Sequence, residues 1–357
     1  MTADQHRAPK SVLSPYKDLP DTQFWRRAVS SPAPLDVDPV THVPFTISKT
    51  DRVATAGSCF AQHIARTLVT QGFNYLVTEP GPADAGYGVF PARFGNIYTT
   101  RQLLQLFELA YGLRSADPIW LRNDGKFVDC FRPLIDDGGF SNSEQLLADR
   151  RIHLASVRKM FERCDVFIFT LGLTEGWTSK KTGLAVPLPP GVTAIPVKED
   201  EFAFVNFSVL EMTTDLNDFI QKLRIVNPSV RVILTVSPVP LIATYESRHV
   251  LVSTIYSKSA LRVVAEEITR SVRDVAYFPS YEVITGPHHA YRFFEPDLRS
   301  VSNSGVDHVM AIFTRHYLKD RAPSSPRARA DVSPHPAAST ENNELYEIIC
   351  DEEALAQ

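Results

Sequence analysis

The chain has 357 residues, 44% of them hydrophobic, which is enough apolar material for one large domain or two small ones. A net charge of −4 excludes the broad basic field that nucleic-acid binding requires. No apolar run reaches bilayer length, and the first twenty residues lack a signal peptide's apolar stretch, so the expectation is no membrane span and a cytoplasmic location.

In chain order, residues 1–50 are rich in Pro, Asp and Ser and predict an extended arm around a domain, with FWRRAV (24–29) as an apolar island. VATA (53–56) reads as a strand, followed by Gly57-Ser58-Cys59, an amphipathic helix over 59–71 and a second strand, FNYLV (73–77). Glycine-rich GPADAGYGV (81–89) has neither a lysine nor a strand–helix context, so it predicts no nucleotide site. Helical periodicity returns in 101–113 and 141–162, the latter opening on a capping-box pattern from Ser141 to Glu144. DVFIFTLG (165–172), RVILTVSPV (231–239) and VAYFPS (275–280) are short apolar runs of the kind found in buried parallel strands. Helices are expected over 208–226, 258–273 and 305–318, and a hairpin over 177–196. The Pro/Ser/Ala stretch 320–340 predicts a flexible linker, leading to a short acidic helix with Leu345, Ile348 and Ile349 on one side, a segment suited to a protein partner.

Alternating strands and helices with apolar strands imply a parallel sheet covered on both faces, whose chemistry gathers at the C-terminal strand ends. Ser58 lies just past the first such end, LGLTEGW (171–177) past the third and SPVP (237–240) past the fourth. Ser58 has two readings. A serine before a helix accepts a bond from a first-turn N–H as an N-cap. A serine at a strand-to-helix corner also presents its hydroxyl beside N–H groups that stabilise an oxyanion. Cys59 is an alternative nucleophile, since a helix N-terminus lowers a thiol's pKa. The four cysteines (59, 130, 164 and 350) show no paired spacing, so neither a disulfide frame nor a metal site is expected. Lys258 and Arg262, one helical turn apart, read as a solvated basic face or as a hold on an acidic substrate group. Trp177 and Tyr281 read as packing residues or as pocket aromatics.

The string AGSCFAQHIARTL resembles the GSCFA family of the SGNH/GDSL-like hydrolase superfamily. The resemblance continues through FGNIYTTRQLL (94–104), FTLGLTEGW (169–177), TVSPVP (235–240), SKSALR (257–262) and YRFFEPDLRS (291–300), covering roughly 50–318. It implies a three-layer, flavodoxin-like α/β fold with a five-stranded parallel sheet, and Ser58 as nucleophile. It also implies oxyanion donors from the Ser58 N–H, from Gly95 and Asn96, and from Gly172 with Thr174. Glu175 stands beside them, where a carboxylate would repel an oxyanion. The superfamily closes on Asp-x-x-His before the last helix, but here that stretch reads Asp297-Leu298-Arg299-Ser300. The expected base is therefore His308, supported by Asp297, with His63, His288 and His289 as alternatives.

The domain is expected to span 51–320, between the arm (1–50) and the tail (321–357). By resemblance, the expected activity is that of a serine esterase or acyltransferase on an O-acyl group, foremost O-acetyl, of a glycan or small molecule, without cofactor. The competing expectation is a catalytically inactive module on the same fold that binds a glycan or protein.

Overall fold

The computed structural model describes residues 14–136, 138–189, 191–192, 201–319 and 351–356. β1 (Val53–Gly57) leads into α1 (Phe60–Thr70), and α2 (Thr100–Ala110) precedes a small antiparallel pair, β2 (Ile119–Leu121) and β3 (Phe127–Asp129). α3 (Ser143–Arg163) returns the chain to β4 (Val166–Leu171). A second antiparallel sheet follows, β5 (Glu175–Ser179) between β6 (Ala185–Val186) and β7 (Phe202–Asn206). Then come α4 (Val209–Val226), β8 (Arg231–Val236), α5 (Val250–Ser271), β9 (Val275–Tyr277), α6 (Ser280–Thr285) and α7 (Asn303–Tyr317).

The main sheet is parallel, in the order β1-β4-β8-β9, among the described residues. It has four strands where the sequence predicted five. The expected second strand, 73–77, does lie along β1 but makes only the bridge Val53↔Tyr75. Val53 N–H donates to Asn74 O (2.9 Å) and Leu76 N–H to Val53 O (2.8 Å); Thr78 N–H then turns to Pro91 O (2.7 Å), and pairing with β1 ends.

Strand side chains alternate between two cores, the period-2 consequence of the pleat. Val166 and Ile168 join one cluster with Phe60 and Ile64 of α1 and Phe313 of α7; Phe167, Phe169 and Leu171 join the other with Leu103 of α2, Val157 of α3 and Leu261 of α5. Helices thus cover both faces. The stretch before β1 packs on the α7 side. Ile47 N–H donates to Tyr317 O (2.7 Å), Lys319 N–H to Ile47 O (2.8 Å), and Arg315 and His316 both reach Asp38 (2.7 Å each).

Several boundaries differ from expectation. α3 is capped by Asn142, whose side chain accepts from Gln145 N–H (2.9 Å), one residue beyond the expected Ser141–Glu144 pair. α5 begins at Val250 rather than 258, and the expected hairpin acquires β7 as a third strand. Residues 190 and 193–196 of that hairpin, and the linker and acidic residues over 320–350, lie outside the described residues. Among the described residues no helix is long and apolar enough to cross a membrane.

Candidate active site

Ser58 stands where β1 turns into α1, and two glycines create its place. Gly57 has φ +137°, and a Cβ there would lie 2.3 Å from Thr170 O on the neighbouring strand. Gly172, just past β4, has no side chain where a Cβ would come within 3.1 Å of Ser58 Cβ and 3.2 Å of Tyr98. The ends of β1 and β4 can close on each other because neither position carries a side chain. The parallel ladder continues one residue past β1, so Ser58 N–H donates to Thr170 O (3.2 Å). That N–H, expected at an oxyanion, is engaged in the sheet.

Ser58 and Cys59 line a small cavity with Gly172 and Leu173 after β4, Ser237 and Val239 after β8, Tyr98, and Lys258 from α5. Its walls thus come from the C-terminal ends of three adjacent parallel strands. Ser58 is 3% exposed, and its Oγ is buried without a hydrogen-bond partner, so it caps nothing. Lys258 is 2% exposed rather than on a solvated face; its Nζ donates to Gly172 O at 2.7 Å. The signal that locates it is helical spacing, because Ser253, Ser257, Lys258 and Leu261 form the buried stripe of α5. Arg262, a turn away, bridges Glu266 (2.9 Å) and Glu282 (2.7 Å).

The other expected site residues separate into three groups. Asn96 and Thr174 are buried near the strand ends; Asn96 Oδ1 accepts from Gln62 Nε2 (3.4 Å), Thr174 N–H donates to Ser257 Oγ (3.2 Å), and Thr174 Oγ1 has no partner. Gly95 precedes Asn96 with φ +71°. Glu175 is engaged with the loop after β8, its two oxygens accepting from Thr244 Oγ1 (2.6 Å) and Tyr245 N–H (3.2 Å). Asp297 lies in an exposed turn, accepting from the N–H groups of Arg299 and Ser300 (2.9 Å each) and from Ser300 Oγ (2.6 Å). The Ser300 hydrogen bond holds its carboxyl below the usual range, against a smaller opposing effect of burial.

None of the cavity-lining residues is a histidine or a carboxylate, among the described residues. His288, His289 and His308 cluster instead around Phe293, with ring centroids 3.9 Å apart for His288–His289 and 5.3 Å for His289–His308. His289 is fully buried, which pushes its imidazole down to about 4. His63 packs against Phe60 at 5.4 Å, and burial pushes it to about 4 as well. Cys130 and Cys164 are buried thiols raised by desolvation, Cys164 to about 12, which makes them unreactive. No group of three or more His, Cys, Asp or Glu among the described residues could hold a metal ion.

Two solved structures overlap the chain loosely. One is described as a candidate platelet activating factor from Streptococcus pneumonia, with 14% identity and TM-score 0.27, spanning 48% of this chain and 66% of that one. The other is a carbohydrate esterase family 3 from Talaromyces cellulolyticus, with 13% identity and TM-score 0.26, spanning 61% of this chain and 89% of that one. Overlaps this loose transfer neither an activity nor a site. No curated protein matches the chain. The model of the GSCFA family matches residues 52–313, which takes in β1, the Ser58 corner, every wall of the cavity and most of α7, and on that match the chain belongs to the GSCFA family.

Proposed function

We propose that the protein is a serine hydrolase or acyltransferase that acts on an ester through Ser58. The observation that carries this reading is the Ser58 hydroxyl, 3% exposed and without a hydrogen-bond partner, at the C-terminal end of a parallel strand. A buried hydroxyl left unbonded costs about 1–3 kcal/mol, and a cavity wall that keeps one suits a substrate that bonds to it. The cavity at the site is small, about 10 Å³, on the scale of a single water molecule, which disfavours a long acyl chain and leaves a short one such as acetyl. Thr174 Oγ1, buried and unpartnered, would donate to the oxyanion. The acyl group leaves an alcohol, of a glycan or a small molecule, and passes to water or to a second hydroxyl.

A fluorophosphonate probe should label Ser58, as mapped by mass spectrometry, and 4-nitrophenyl acetate should be hydrolysed. Ser58→Ala should remove the label and lower turnover on the order of 10⁴- to 10⁶-fold. A label that survives Ser58→Ala and vanishes with Cys59→Ala would transfer the role to the thiol. A second reading, an inactive module that binds a glycan or protein, has support in the Asp297–Ser300 turn, where a serine occupies the histidine position of the superfamily pattern. No labelling and no turnover in the wild-type protein would favour it.

A further inference from the structure

We propose that Lys258 is the proton acceptor for Ser58. The proposal rests on the serine reading above and adds the base which that reading lacks.

Three observations converge. Lys258 and Ser58 line one cavity, and the remaining titratable groups on its wall are Tyr98 and Cys59. Lys258 Nζ is held at 2.7 Å from Gly172 O, on the residue whose absent side chain lets Ser58 Cβ approach. The four candidate histidines lie elsewhere: His288, His289 and His308 cluster around Phe293, and His63 packs on Phe60. Burial favours the neutral form of an amine, which is why sealed lysines recur as bases. Ser58 Oγ has no partner in the resting structure, so a neutral amine that donates one N–H to the Gly172 carbonyl accepts the serine proton only after a small shift toward Oγ as substrate binds.

The reaction balances with this single group. As Ser58 Oγ bonds to the ester carbon, its proton passes to Lys258 Nζ and the carbonyl π pair moves onto oxygen. The tetrahedral intermediate collapses, the bond from carbon to the alkoxy oxygen breaks, and the ammonium protonates the departing alcohol. Water, or an acceptor hydroxyl, then attacks the acyl-serine and gives its proton to the same amine. When the second intermediate collapses, the ammonium returns that proton to Ser58 Oγ.

The test measures fluorophosphonate labelling of Ser58 and 4-nitrophenyl acetate turnover in wild type, Lys258→Arg and Lys258→Met, with each variant's melting temperature. Arginine keeps the capacity to donate to Gly172 O but stays protonated and does not accept a proton at working pH. Both variants should lose 10²-fold or more, the scale of a general base. Wild-type kcat/KM should fall toward acid pH through one ionisation that Lys258→Arg lacks. Small primary amines should restore part of the activity of Lys258→Met. Labelling or turnover within threefold of wild type in a folded Lys258→Arg overturns the proposal, and so does a wild-type profile flat from pH 5 to 9. If neither variant folds, the wild-type profile decides alone. Failure to label Ser58 in the wild-type protein overturns the serine reading, and the lysine with it, whereas labelling that Lys258→Arg retains counts against Lys258 alone.

Discussion

Two glycines show how single atoms set the site's shape. A side chain at Gly57 would meet backbone 2.3 Å away, and φ +137° is a region that L-residues rarely adopt. Gly57→Ala should therefore cost about 3 kcal/mol or more, read as a lower urea midpoint with unchanged slope. The corner was legible in the sequence because Gly-Ser at a strand end has few structural readings. The orientation of individual side chains was not. Glu175 adjoins Thr174 in sequence, yet its carboxylate is taken up by Thr244 and Tyr245 while Thr174 Oγ1 is buried without a partner. Lys258 looked solvent-facing because charge is a stronger sequence cue than position on a helical stripe, and the stripe is what buried it.

Elements were legible where apolar pattern and local chemistry agreed. The helix expected over 208–226 forms as α4, and Ser208 caps it in a reciprocal box with Glu211. Ser208→Ala should cost about 1 kcal/mol in thermal or urea melts, the usual value of an N-cap, while the exposed Leu210→Ala at the same helix start should cost less. The box expected at Ser141 fails because Asn142 is an equally good cap with Gln145 three residues on, and local spacing alone cannot rank the two. The second strand fails for a tertiary reason. Its backbone is drawn to Pro91 after one bridge, and no pattern within FNYLV records that partner. β2 and β3 escaped prediction because three-residue strands carry too few alternations to register a period.

Across the whole molecule, burial sets the response to acid. His153 is 2% exposed, with Nδ1 2.8 Å from Glu79 Oε2. Burial first, then Arg132, pushes its imidazole down to about 4, against the pull of Glu79. Burial would raise the Glu79 carboxyl, but its bonds to His153 and to Arg93 N–H keep it below its ordinary range. The unfolded chain protonates this histidine near pH 6.5 and the folded chain only near 4. Between these values the unfolded state binds more protons, so stability falls as pH falls. The full contribution, on the order of 3 kcal/mol, is present above pH 6.5 and is lost by about pH 4. Urea midpoints from pH 4.5 to 7.5 should drop more steeply for the wild type than for His153→Gln, which still donates to Glu79. Equal slopes would show that this histidine does not carry the effect.

The order of the main sheet also has a temporal consequence. β1, which delivers Ser58, has β4 as its sheet partner, and Arg52 beside it holds Asp165, 113 residues later. At a synthesis rate of roughly 5–20 residues per second, the strand waits on the order of 6–20 s for that partner to be made. Through this interval the nascent chain carries Val53–Gly57 without the strand that completes the serine's corner, and the cavity gains its last wall only when Lys258 has emerged. The Ser58 corner therefore stays unassembled until Lys258, about 200 residues further on, has been made.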